Sequence, residues 1–118
     1  MRLLAKRRLL SYWVRKRQQF TLEEAVRMLT FDNASAWELP GRGLLRAGYA
    51  ADLVVFDADR VKPQLPTVEA DLPGGARRLV QKADGIAATI VNGVVAIEHG
   101  EATGDHGGQV LKGPRAAA

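Results

Sequence analysis

The chain has 118 residues, room for about one domain and too few for a complete (β/α)8 barrel of typically ~250 residues. Apolar residues make up 47% and charged residues 25%, the balance of a folded globular chain rather than a disordered one. Cysteine is absent, which removes disulfides, thiolate metal sites and a cysteine nucleophile. The net charge of +4 is uneven: residues 1–20 carry seven basic side chains and no acid, while the remainder, with ten basic and thirteen acidic, sums to −3.

No apolar run approaches the ~18 residues of a membrane helix. The basic start lacks the sustained apolar stretch of a secretory signal, so a cytoplasmic protein is expected.

Residues 3–18 read as a helix, because Leu3, Leu4, Leu9, Leu10, Trp13 and Val14 recur at helical spacing with basic residues between them. Phe20 closes this segment. Thr21-Leu22-Glu23-Glu24 has the form of a capping box, with Thr21 as N-cap and Glu24 reaching back. Leu22, Ala25, Val26 and Leu29 then form the apolar face of a short helix to about Thr30, and Phe20 and Ala25 take the staple positions. Asn33 or Ser35 begins another turn bearing Ala36 and Trp37, which Pro40-Gly41 stops.

All twelve glycines lie from Gly41 onward, and the apolar runs become short. Leu53 to Phe56 is expected as a buried strand bounded by Asp52 and Asp57. Ile86 to Val91 is a second strand, Asn92-Gly93 a two-residue hairpin turn, and Val94 to Glu98 the return strand. Gln109 to Leu111 is a candidate fourth strand. Residues 59–84, with three prolines and a Gly-Gly pair, read as an irregular excursion, and 114–118 as a disordered tail. Helices followed by strands, with no βαβ alternation, indicate an α+β chain.

Candidate chemistry is thin. His99 and His106, with Glu101 and Asp105, offer nitrogen and oxygen donors to a divalent metal. A glycine-rich loop after a hairpin carries such residues equally well without fixing their geometry. Asp52 and Asp57 are separated by roughly 16 Å of extended strand, too far to share one reacting atom, so they and Asp59 read as turn residues. Gly41-Arg42-Gly43 and Gly107-Gly108 match no phosphate-cradling motif, and neither Ser11 nor Ser35 lies in a G-x-S-x-G elbow. The basic helix, with Tyr12 and Trp13, has three readings: packed on protein by its apolar face, gripping nucleic-acid phosphates, or lying on an anionic membrane or other acidic partner.

Two segments carry a family resemblance. The first runs Thr21 to Thr30 and continues in Gly43-Leu44-Leu45-Arg46-Ala47-Gly48-Tyr49-Ala50-Ala51-Asp52-Leu53-Val54-Val55-Phe56-Asp57. The second runs Ile90-Val91-Asn92-Gly93-Val94-Val95 into Gly100-Glu101-Ala102-Thr103-Gly104. Together they resemble the C-terminal end of the amidohydrolase superfamily, in its N-acyl-D-amino-acid deacylase (D-aminoacylase) branch, over nearly all of residues 9–113. Ser11 to Arg15 resembles the helix that precedes the capping box there.

The resemblance implies a division: residues 1–40 as the helical end of the barrel, and 41–113 as a small partial β-sandwich of the composite kind. It implies a parent activity of metal-dependent hydrolysis of an N-acyl amide bond. The family's early His-x-His pair and catalytic aspartate have no counterpart in this sequence. No catalytic, cofactor-binding or metal-ligating residue is therefore assigned, and no cofactor is expected in this chain. The chain is expected to be a non-catalytic C-terminal module, whether a truncation, a fragment or a repurposed unit. Its partner would be the missing N-terminal part of an amidohydrolase or a second copy in a two-fold dimer, joined through the helices over 3–18 and 21–30 or through the open hairpin edge. The alternative is a small homo-oligomeric interaction protein whose basic helix binds nucleic acid or another acidic partner.

Overall fold

The computed structural model describes residues 8–112. The start of the first expected helix, over 3–7, and the expected tail at 114–118 lie outside these residues.

Helix α1 (Leu9–Lys16) is π-helical rather than α-helical: the Arg17 amide reaches back five residues to the Tyr12 carbonyl at 2.7 Å. It ends where Gln18 takes a positive φ of 51°. Helix α2 (Leu22–Leu29) starts on the capping box read from the sequence. The Glu24 amide donates to Thr21 Oγ1 at 3.2 Å, and the Thr21 amide donates to Glu24 Oε2 at 2.8 Å. The chain breaks at Thr30 and continues as α3 (Phe31–Ala36).

Gly43, at φ +85°, lets the following loop cross α3, since a Cβ there would stand 2.9 Å from both the Ala34 Cβ and the Phe31 Cα.

The strands are β1 (Leu53–Phe56), β2 (Lys62–Pro63), β3 (Thr67–Glu69), β4 (Arg78–Val80), β5 (Ala83–Asp84), β6 (Ile86–Val91), β7 (Val94–Glu98) and β8 (Glu101–Ala102). They form one antiparallel four-stranded sheet in the order β1-β6-β7-β8, with two separate two-stranded ladders, β2-β5 and β3-β4. Leu53 faces Ile90, and Val91 faces Val94 across the turn. Asn92 and Gly93 both have positive φ, 50° and 80°, as a two-residue hairpin of this type requires.

Three expectations are corrected. Gln109 to Leu111 forms no strand; Glu101–Ala102 takes the fourth place in the sheet, turning back through His99 and Gly100. Residues 59–84 are not simply irregular, because four short strands pair within them. Nor is β1 buried: Val54 is 53% exposed and Val55 50%. Neighbouring strand residues point to opposite faces, so β1 is wet on both sides at its centre.

The core is small. Leu10, Ala25 and Val61 are buried together, with Leu9, Val14, Leu22, Leu29, Phe56 and Ile86 packed around them. The accessible surface is 9409 Å2, where a compact monomer of this size has about 6,300 Å2. The radius of gyration is 16.1 Å, against about 13.5 Å for a compact chain of this length. Among the described residues no helix is long and apolar enough to cross a membrane.

Candidate functional site

A cleft of about 760 Å3 opens where α1, the β2-β5 ladder and the β7–β8 turn meet. Its corner is made by Gly85, at φ +75°. A Cβ there would stand 2.6 Å from the Val61 amide nitrogen, so only glycine lets the strand run this close to Val61. The loop after β1 is folded by Asp57. Its carboxylate accepts from the Asp59 amide at 2.9 Å, and its carbonyl accepts from the Arg60 and Val61 amides at 3.2 and 2.8 Å. Arg15 of α1 closes the cleft by donating to the Ala58 carbonyl at 2.9 Å.

The charges in the cleft are largely spent on one another. Lys62 and Asp84 are register partners across β2-β5 and pair at 3.4 Å, and Gln64 donates to Asp84 at 2.6 Å. Lys82 donates to Glu101 at 2.8 Å and so ties the β5 side to β8. The Gln64 hydrogen bond, followed by Lys62, holds the Asp84 carboxyl below the usual range. The Lys82 ammonium does the same for Glu101, which in return raises Lys82. A general acid needs a carboxyl pushed up towards neutrality; Asp84 and Glu101 move the other way. These pairs staple the edge of the sheet.

The residues singled out in the sequence fall as follows. Asp52 accepts from the Asn92 amide at 2.9 Å and pairs with Arg42, and the Gly93 amide donates to the Ala51 carbonyl at 2.9 Å. Asp52 therefore locks the hairpin turn to the start of β1, and Asp57 shapes the next loop. Both are turn holders. His99 sits at the β7–β8 turn with φ 48° and lines the cleft beside Glu101, whereas His106 and Asp105 lie outside it on an exposed segment. The four do not converge: among the described residues no group of three or more His, Asp or Glu side chains is placed to hold a metal ion. The metal centre of a metal-dependent hydrolase does not fit the donor set of the described residues.

The Lys62–Asp84 and Lys82–Glu101 pairs were not legible in the sequence. The first depends on the β2-β5 register and the second on the return of β8 beside β7, and strands of two residues leave no pattern in the sequence.

Comparison with known proteins adds the identity. The model of the Amidohydrolase family matches residues 1–97. A D-aminoacylase of Alcaligenes xylosoxydans xylosoxydans is 38% identical over 108 residues, covering 88% of this chain and 20% of that protein. An N-acyl-D-aspartate deacylase of the same organism is 39% identical over 99 residues, 83% of this chain and 18% of its own length. A crystal structure of D-aminoacylase, described as defining a novel subset of amidohydrolases, superposes with a TM-score of 0.71 at 34% identity, over 90% of this chain and 20% of that one. A second, from work on the binuclear metal center of D-aminoacylase, gives 0.72 at 36% identity with the same coverage. The chain thus spans about a fifth of the length of these relatives. Its helices and antiparallel sheets follow the D-aminoacylase structure, and the chain belongs to the amidohydrolase family.

Proposed function

We propose that this chain is the C-terminal structural module of a metal-dependent hydrolase acting on N-acyl amide bonds, with N-acyl-D-amino acids as the substrate class, and that it is non-catalytic alone. The names of its relatives, a D-aminoacylase and an N-acyl-D-aspartate deacylase, support the substrate class. In this reading residues 1–40 are the helical end of a barrel. Residues 41–113 are a partial sandwich whose missing layer comes from elsewhere in the hydrolase. Bond breaking belongs to groups outside the described residues.

One observation carries the proposal. Leu53-Val54-Val55-Phe56 is an unbroken apolar strand, the pattern of a strand covered on both faces, yet its two central valines are half exposed. A strand of this composition is written for a cover that this chain does not supply. Left alone, the same surface recruits a second copy, and a concentration-dependent dimer in sedimentation is expected.

Complementation tests the reading. A D-aminoacylase lacking the region that this chain matches is mixed with the purified chain, and hydrolysis of N-acyl-D-amino acids is followed. Activity is expected in the mixture and in neither part. Turnover by the chain alone, lost on His99→Ala, overturns it, as does a stoichiometric, tightly held metal in the lone chain.

A further inference from the structure

The apolar face of α1 is accounted for: Leu10 is buried, and Leu9 and Val14 pack on the same core. That face is not free to enter a bilayer. The opposite face has a different character. Arg8, Arg17 and Lys16 stand 5.3, 5.4 and 5.9 Å from the centre of the Tyr12 ring. Arg17 is fixed further by donating from Nε to the Tyr12 hydroxyl at 3.0 Å. Trp13 meets the same ring edge-on at 5.1 Å and 89°, and is itself 44% exposed. Among the described residues no carboxylate forms an ion pair with any of the three cations.

Three like charges gathered on one ring repel each other, and a bound anion relieves that repulsion. The ring holds the cations in place, so less side-chain freedom is lost when an anion arrives. An exposed indole beside a short cationic track is the pairing that single-stranded nucleic acid uses: phosphates on the cations and a base on the aromatic face.

We propose that the outward face of α1, built from Arg8, Lys16 and Arg17 around Tyr12 with Trp13 alongside, is a binding site for single-stranded nucleic acid. It goes beyond the hydrolase reading and stands independently of it.

The test is fluorescence anisotropy of a labelled oligothymidylate against the full chain at several salt concentrations. Three neutralised phosphates give a log–log salt slope of about −2. The slope is expected to be at least that steep, since Arg2, Lys6 and Arg7 precede the site in sequence. The triple variant R8A/K16A/R17A is expected to lose affinity by about tenfold or more and to flatten the slope. In a Trp37→Phe background, intrinsic fluorescence reports Trp13 alone, and the oligonucleotide is expected to quench it. Trp13→Ala is expected to weaken binding about tenfold. The quench and the slope are read on chains that keep the whole site, so a variant that fails to fold does not spoil them. Four results overturn the proposal: no salt-dependent binding, an unchanged Trp13 signal, a duplex of equal length bound as tightly, or vesicles containing phosphatidylserine bound in place of the oligonucleotide.

Discussion

Two corners of this chain hold apolar residues of similar size and treat them differently. Around Val61, which is 1% exposed, α1, α2, the end of β1 and the start of β6 converge and exclude water. On the β3-β4 ribbon, Val68 and Leu79 face each other as register partners, yet remain 63% and 73% exposed. A two-stranded ribbon has no second layer and is marginal alone. Burial therefore follows layers rather than hydrophobicity: where helices lie across strand ends a core forms, and where strands stand alone it does not.

The largest effect expected from breaking the packed corner is at Gly85. Gly85→Ala adds a Cβ against Val61 backbone at a positive φ, and overpacking together with that φ costs about 3 kcal/mol. Urea unfolding of this variant is expected to approach loss of the cooperative transition. Next comes the contrast between the corners themselves. Val61→Ala removes buried methyl groups and costs about 2 kcal/mol, whereas Leu79→Ala on the exposed ribbon changes stability by less than about 0.5 kcal/mol. Equal losses in chemical denaturation would mean that the ribbon is covered in solution.

Much of the packed corner was legible in the sequence because its signals are local. Thr21 and Glu24 stand three residues apart and cap each other, and Asn92-Gly93 sets its own hairpin register. The ends of β6 and β7 follow from those signals. The ladders over 59–84 were not legible, since strands of two or three residues leave no periodicity, and their register rests on partners nine to twenty-two positions away in sequence. The exposure of Val54 and Val55 was hidden for a different reason: an apolar run states that a strand wants two covers, not who provides them. The site residues divide the same way. The turn roles of Asp52 and Asp57 follow from their place at strand ends, whereas the cleft exists only once β2 and β5 have paired.

A smaller effect sharpens the helical side of the comparison. Thr21→Ala removes the acceptor for the Glu24 amide and the hydroxyl that donates to the Glu24 carboxylate, while the Thr21 backbone amide still reaches that carboxylate, at a cost of about 1 kcal/mol. Thr21→Ser keeps the bond and is expected to restore most of it. A loss confined to the helical circular dichroism signal, with the sheet unaffected, would show that α2 is an independent attachment; a single shared transition is expected, because α2 contributes Ala25 to the common core.

The smallest effect concerns the charges at the cleft edge. Asp84 and Glu101 have folded-state pKa values held below their ordinary ones, by Gln64 and Lys62 and by Lys82 respectively. Each unfolded form therefore binds its proton first, and the stability they contribute is complete above about pH 4 to 4.5 and lost as pH falls through the lower folded values. Lys82 runs in the opposite sense: raised by Glu101, its contribution holds below about pH 10.4 and is lost as pH rises through the higher folded value. Lys82→Met removes the partner of Glu101 and is expected to flatten the acid limb slightly and abolish the alkaline one. Because the pair faces solvent, molar salt is expected to produce most of the same change in the parent chain. A salt-resistant acid limb would place these carboxylates under a cover, and would extend the packed region to the edge that β8 leaves open.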